Sequence, residues 1–212
     1  MSSTEYQVDR RELQFVVNET LEAGKLCEFP DFAEFDEEMF TMIINEASTF
    51  SEQVLAPLNK NGDRQGCRIE NGSVLTPDGF ANAWKQFGEG GWLSMNLPTE
   101  YGGQGLPEVI SIIGKETQMA ANQGFTIGAS LTSGAANLIY TFGSEEQKTI
   151  FCEKMFSGKW SGSMCLTEPQ AGSAVGDAIT SAAKQEDGYY LIKGIKQRSE
   201  ERRVGKECRS RW

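Results

Sequence analysis

The sequence contains no histidine, so Ser-His-Asp triads, Cys-His dyads and His-ligated zinc sites are excluded outright. Its five cysteines, Cys27, Cys67, Cys152, Cys165 and Cys208, are an odd set with no CxxC pair. That argues against a disulfide framework and a zinc ribbon and leaves free thiols, so no metal ligand is assigned. No apolar run approaches the roughly 20 residues that span a bilayer. The opening Met-Ser-Ser-Thr-Glu-Tyr lacks the basic-then-apolar pattern of a secretion signal, and the expected compartment is the cytoplasm. Positive charge is also scarce: 20 Lys and Arg against 30 Asp and Glu give −10. This disfavours nucleic acid or an anionic membrane as partner, although backbone amides can still hold an anionic cofactor.

What is present, 39% hydrophobic residues against 24% charged in 212, suffices to bury a core. Leu13, Phe15, Val16, Val17 and Leu21 give residues 11–23 a helical apolar face, which Gly24 stops. Asp36-Glu37-Glu38 supplies the acidic first turn of a second helix, with Met39, Ile43, Ala47, Phe50 and Val54 on one face and Pro57 closing or kinking it. Residues 59–77 read as an extended, partly exposed connection. Thr76-Pro77-Asp78 opens a third helix carrying Phe80, Ala83, Trp84 and Phe87. Residues 107–142, low in charge, form one or two helices buried on most sides. Gly143-Ser144-Glu145-Glu146-Gln147 then supplies a stop, a cap and the acidic start of a helix reaching about Ser157. Trp84, Trp92 and Trp160 are expected as core anchors, and Cys165 as a small buried apolar residue. Near residue 159 the pattern changes: residues 179–183 and 189–192 read as strands joined through Glu186-Asp187-Gly188.

Within that second region, Met164-Cys165-Leu166-Thr167-Glu168-Pro169-Gln170-Ala171-Gly172-Ser173 resembles the Leu-Thr-Glu-Pro-x-x-Gly-Ser signature of the acyl-CoA dehydrogenases. Alone, Thr167-Glu168-Pro169 could simply end a strand. Other features stand in the family's order: Leu-Pro-x-Glu-Tyr-Gly-Gly at 97–103, Gly-Ser-Glu-Glu-Gln-Lys at 143–148 and Gly-Tyr-Tyr-Leu-Ile-Lys-Gly at 188–194. Tyr101-Gly102-Gly103-Gln104-Gly105 lacks GxGxxG spacing and is a connector, not a phosphate loop. Tyr6, Asp9 and Phe15-Val16-Val17-Asn18-Glu19 resemble the extension of the long-form branch, which includes 3-methylmercaptopropionyl-CoA dehydrogenase.

The resemblance implies a mainly α fold: an extension at 1–35, an all-helical amino-terminal domain at 36–158, the first strands of an incomplete β-barrel middle domain at 159–197, and an atypical basic tail at 198–212. It implies FAD as cofactor, an acyl-CoA oxidised to the 2,3-enoyl-CoA, an electron-transfer flavoprotein or similar acceptor as partner, and a homo-oligomeric full-length enzyme. Met164, Cys165, Leu166 and Thr167 would lie beside the flavin, with backbone amides and the Thr167 hydroxyl as contacts. Gly172 would let the backbone approach a ligand, and Ser173 would lie near both flavin and thioester.

There are departures. Ala174 stands where the family commonly has Asp, and Gln197 where it has an aromatic residue on a further flavin-contacting strand. Residues 198–212 carry six Lys or Arg against three acidic residues, a net +3, and read as a foreign or misread tail. The base implied is a glutamate in a carboxy-terminal helical domain beyond residue 212, so no catalytic residue is assigned here, Glu100 and Glu168 included, and the chain is expected to be inactive. The alternative is a non-catalytic helical binding or assembly module that presents residues 107–142 to a partner.

Overall fold

The computed structural model describes residues 6–197; the expectations for 198–212, Cys208 among them, lie outside the described residues. The chain divides into two compact units, Met1–Gly162 and Ser163–Trp212.

The first unit is helical. α1 (Arg10–Phe15) starts on Asp9, whose carboxylate accepts from the Glu12 amide. Its winding widens into a π turn, Val16–Thr20, and Glu22 breaks it with a φ of 49°. The widened turn spoils the 3.6-residue repeat on which the 11–23 face was reckoned: Val17 is buried, whereas Phe15 and Leu21 are exposed. Glu52 fastens the segment, accepting from the Val8 amide at 2.8 Å and from Arg10 at 2.8 and 3.0 Å.

α2 (Glu37–Phe50) is capped by Asp36, which accepts from the Met39 amide. Its buried face runs through Phe40, Ile44, Ala47 and Ser48. It thus lies one residue on from the expected stripe, and Met39, Ile43, Phe50 and Val54 form its half-buried flank. Serines hid the true centre: Ser48 and Ser51 are buried because their hydroxyls donate to the carbonyls of Ile44 and Ala47, each at 2.7 Å. Pro57 does not end the helix. After a π turn, Ser51–Leu55, winding resumes as α3 (Ala56–Gln65), with Pro57 in its first turn, where no N–H is needed.

Residues 59–77 are not an extended connection. They finish α3 and then form an exposed antiparallel hairpin, β1 (Arg68–Glu70) with β2 (Ser73–Leu75), Ile69 opposite Val74. Asn71 and Gly72, at φ 49° and 77°, make its turn.

α4 (Phe80–Glu89) buries Ala83 and Phe87, and Phe87 meets Phe125 edge-on at 5.5 Å between ring centres. It begins at Phe80 because Gly79, at φ 90°, turns the chain just before it. The following connector folds on its own backbone: the amides of Gly105 and Leu106 donate to Leu97 and Met95, each at 2.9 Å. A Cβ on Gly103 would lie 2.1 Å from the Leu97 carbonyl oxygen, which is why glycine stands there. α5 (Glu108–Ala121) packs on α2, and α6 (Gln123–Phe142) on α7 (Glu145–Phe156). Ser144 and Gln147 form a capping box at the start of α7.

Apolar side chains fill this unit in three clusters centred on Phe40 and Ile110, on Leu55 and Phe125, and on Cys152 and Phe156. Trp84 and Trp92 pack against them, but Trp160 is a surface residue, 42% exposed, with the Lys154 ammonium 4.1 Å from its ring centre. No helix among the described residues is long and apolar enough to cross a membrane.

In the second unit, β3 (Ser181–Lys184) pairs antiparallel with β4 (Tyr190–Lys193), Ser181 opposite Lys193 and Lys184 opposite Tyr190.

Candidate functional site

The signature lies in the second unit and begins outside any helix or strand. Met164, Cys165 and Leu166 are exposed and Thr167 is half-buried. Cys165 is therefore not a buried apolar residue: among the described residues it stands outside any strand pair and is exposed. The carbonyls of this stretch are tied down, Leu166 accepting from Lys196 Nζ at 3.0 Å and Thr167 from the Gln197 amide at 2.9 Å. Its amides are not: among the described residues, the N–H groups of 164–167 donate to no acceptor.

Next comes the feature that sequence reasoning passed over. Glu168, 2% exposed, is the residue on which the loop is hung. Its Oε2 accepts from the Ile179 amide and from Gln170 Nε2, each at 2.8 Å. Its Oε1 accepts from Lys196 Nζ at 2.8 Å and from the Thr180 amide at 3.1 Å. Lys196 above all, then Thr180 and the Ile179 amide, hold this carboxyl far below the usual carboxylate range. A carboxylate so saturated is no proton acceptor. The signals in the sequence were its place in the signature and its being the single charged residue between Lys159 and Asp177.

The same contacts explain a shifted boundary. β3 begins at Ser181 rather than 179 because the amides of Ile179 and Thr180 are spent on Glu168 instead of a neighbouring strand. Glu168 and Ala171 exchange backbone hydrogen bonds at 3.1 Å each, closing the Pro169-Gln170 turn. Gly172 and Ser173 follow directly and are exposed, and a Cβ on Gly172 would meet nothing within 4 Å. The chain's own atoms therefore do not demand glycine at 172. They do at Gly194, where a Cβ would fall 2.0 Å from Thr180 Oγ1.

A groove of about 710 Å³ opens elsewhere, in the helical unit, lined by Asn59, Asp63, Phe80, Trp84, Asn122 and Phe125 among others. None of its lining residues belongs to the signature. Among the described residues no cluster of Cys, Asp and Glu could hold a metal ion.

The family model for the amino-terminal domain of acyl-CoA dehydrogenases matches residues 37–159. The chain belongs to the acyl-CoA dehydrogenase family. It is 35% identical over 191 residues to 3-methylmercaptopropionyl-CoA dehydrogenase of Ruegeria pomeroyi, covering 90% of this chain and 32% of that protein. Among solved structures it resembles butyryl-CoA dehydrogenase from Megasphaera elsdenii (27% identity, TM-score 0.60, 73% of this chain and 39% of that one). It also resembles an acyl-CoA dehydrogenase complexed with FAD from Bacillus anthracis (28% identity, TM-score 0.61, 78% of this chain and 27% of that one). The chain spans about a third of the length of the curated relatives it matches. The matched acyl-CoA dehydrogenase domain is the helical part, in keeping with a mainly α fold, and the signature follows it.

Proposed function

We propose that this chain supplies the helical front and the cofactor-facing segment of an FAD-dependent acyl-CoA dehydrogenase that oxidises an acyl-CoA thioester to its 2,3-enoyl-CoA. The observation that carries the flavin part is the stretch 164–167, outside any helix or strand and exposed at 164–166, with backbone donors that meet no acceptor among the described residues. A flavin fits such a segment: its pyrimidine edge needs donors, since each buried unpaired polar group costs about 1–3 kcal/mol, and its ring needs apolar cover. Met164 and Leu166, both exposed, can give that cover. The Thr167 hydroxyl adds a contact. Gly172, with open space at its Cβ position, would admit close approach, and Ser173 would contact both flavin and thioester. When bound, FAD supplies the acceptor for hydride from the acyl β-carbon; the residues here bind and orient.

In this reading residues 1–35, 36–158 and 159–197 are the extension, the helical domain and the start of the middle domain. The whole protein works in the cytoplasm as a homo-oligomer and passes electrons to an electron-transfer flavoprotein or similar acceptor. The 212-residue chain alone does not turn over, because the resemblance puts the base in a carboxy-terminal helical domain, and Glu168, the one carboxylate within the signature, is saturated with donors and does not replace it.

Titrating the purified chain with FAD, with amide exchange to map the contact, tests this. The expected result is saturable binding, protection at 164–167 and 172–173, and no bleaching by an acyl-CoA. Failure to saturate contradicts the flavin part, and bleaching contradicts the lack of turnover. One observation favours the second reading, a binding module: Ile127, Leu138 and Phe142 are exposed on α6. That reading predicts a flavin-free chain in a complex of fixed stoichiometry.

A further inference from the structure

We propose that Glu168 is the positioning residue of the cofactor-facing segment and Lys196 its indispensable counter-charge, the pair holding 164–173 in the shape that presents Thr167 and Ser173. This rests on the flavin reading above. The carboxylate gathers donors from widely spaced points: Gln170 in the turn, Ile179 and Thr180 just before β3, and Lys196 just after β4. One side chain thus ties the turn to both strands at the open end of the hairpin. Lys196 carries the tie onward, because its ammonium also donates to the Leu166 carbonyl at 3.0 Å, within the stretch that offers its amides.

Little else could impose that shape. In residues 163–197 only Glu168 and Ala171 are buried, so no apolar core fixes the backbone. The ion pair is itself shielded, with side-chain exposures of 24% for Lys196 and 1% for Glu168. An isosteric amide at 168 cannot accept four donors: its NH₂ group would face either the backbone N–H of Ile179 or the ammonium of Lys196. Deleting the ammonium at 196 leaves the carboxylate buried and unpaired and frees the Leu166 carbonyl.

The test compares the full chain with Glu168→Gln, Lys196→Met and Lys196→Arg, measuring FAD affinity by titration, amide exchange at 164–180, and the helical circular dichroism signal. Glu168→Gln and Lys196→Met are expected to speed exchange at Ile179 and Thr180 and to raise the Kd for FAD about tenfold, equivalent to about 1.4 kcal/mol. Lys196→Arg keeps the charge and stays within about threefold of the parent. A parent chain that takes up no FAD overturns the flavin reading and this proposal with it. A parent that binds FAD while Glu168→Gln and Lys196→Met bind it equally well overturns this proposal alone. So do variants that exchange faster without losing affinity, since that is a merely structural role. Should Glu168→Gln lose helical signal, Lys196→Met against Lys196→Arg decides: equal affinity overturns the proposal, and loss in the Met variant alone supports it.

Discussion

The two units reach order by opposite means. In the helical unit, large side chains such as Phe40, Ile44, Leu55 and Phe156 are essentially excluded from solvent. Residues 163–197 bury two side chains, Ala171 and a carboxylate. A core built from many dispersed apolar contacts depends on no single charged group and fails through cavities. A loop hung on one carboxylate tolerates loss of apolar contact and fails when that charge or its donors change. The candidate site lies in the second kind of structure.

The largest effect that separates the two is a cavity in the helical unit. Phe40→Ala should cost about 3–5 kcal/mol, seen as a lowered midpoint in urea unfolding followed at 222 nm, with exchange at Ile179 and Thr180 unchanged at low urea. A cost below about 1 kcal/mol would mean that Phe40 is not the core residue it looks to be. Gly194→Ala is the counterpart in the other unit: its Cβ would collide with Thr180 Oγ1. Such overpacking costs about 1–3 kcal/mol and should quicken exchange over 179–193 while leaving the helical unfolding midpoint in place. Ser144→Ala removes the cap of α7 and should cost about 1 kcal/mol, fraying 145–149 without touching the signature.

The gentlest perturbation is protonation. Glu168 has an ordinary value of 4.5 that its partners, Lys196 first, depress in the folded chain. The tie is therefore complete above pH 4.5 and weakens as pH falls from there toward the depressed folded value. Exchange at Ile179 and Thr180 should rise in acid relative to the intrinsic rate, and Glu168→Gln should show no such step. Glu52, held low by Arg10, should release residues 6–15 in the same direction.

How far the sequence displayed this molecule depended on whether neighbours in the chain held the signal. The cap of α7 is set by adjacent residues and could be read directly, whereas 107–142 read only as one or two helices and the break at Asn122 came from the structure. The centre of α2 could not, because buried serines satisfied by their own helix look like surface residues in a hydropathy pattern. Pro57 read as closing or kinking the helix because nothing in its own identity announces the π turn that precedes it. The β1–β2 hairpin was legible in Asn71-Gly72 between Ile69 and Val74, a turn signal outweighed by the polar surroundings. In the site, the signature marked the segment, but Glu168 took its meaning from Ile179, Thr180 and Lys196, distant in sequence and brought together only by the fold.

The measurement that bears most directly on the account is an amide-exchange footprint of the chain with and without saturating FAD. The account predicts protection concentrated at 164–167 and 172–173. Protection confined to the helical unit, or none at any FAD concentration, would contradict the assignment of this segment as the cofactor-facing part of an acyl-CoA dehydrogenase.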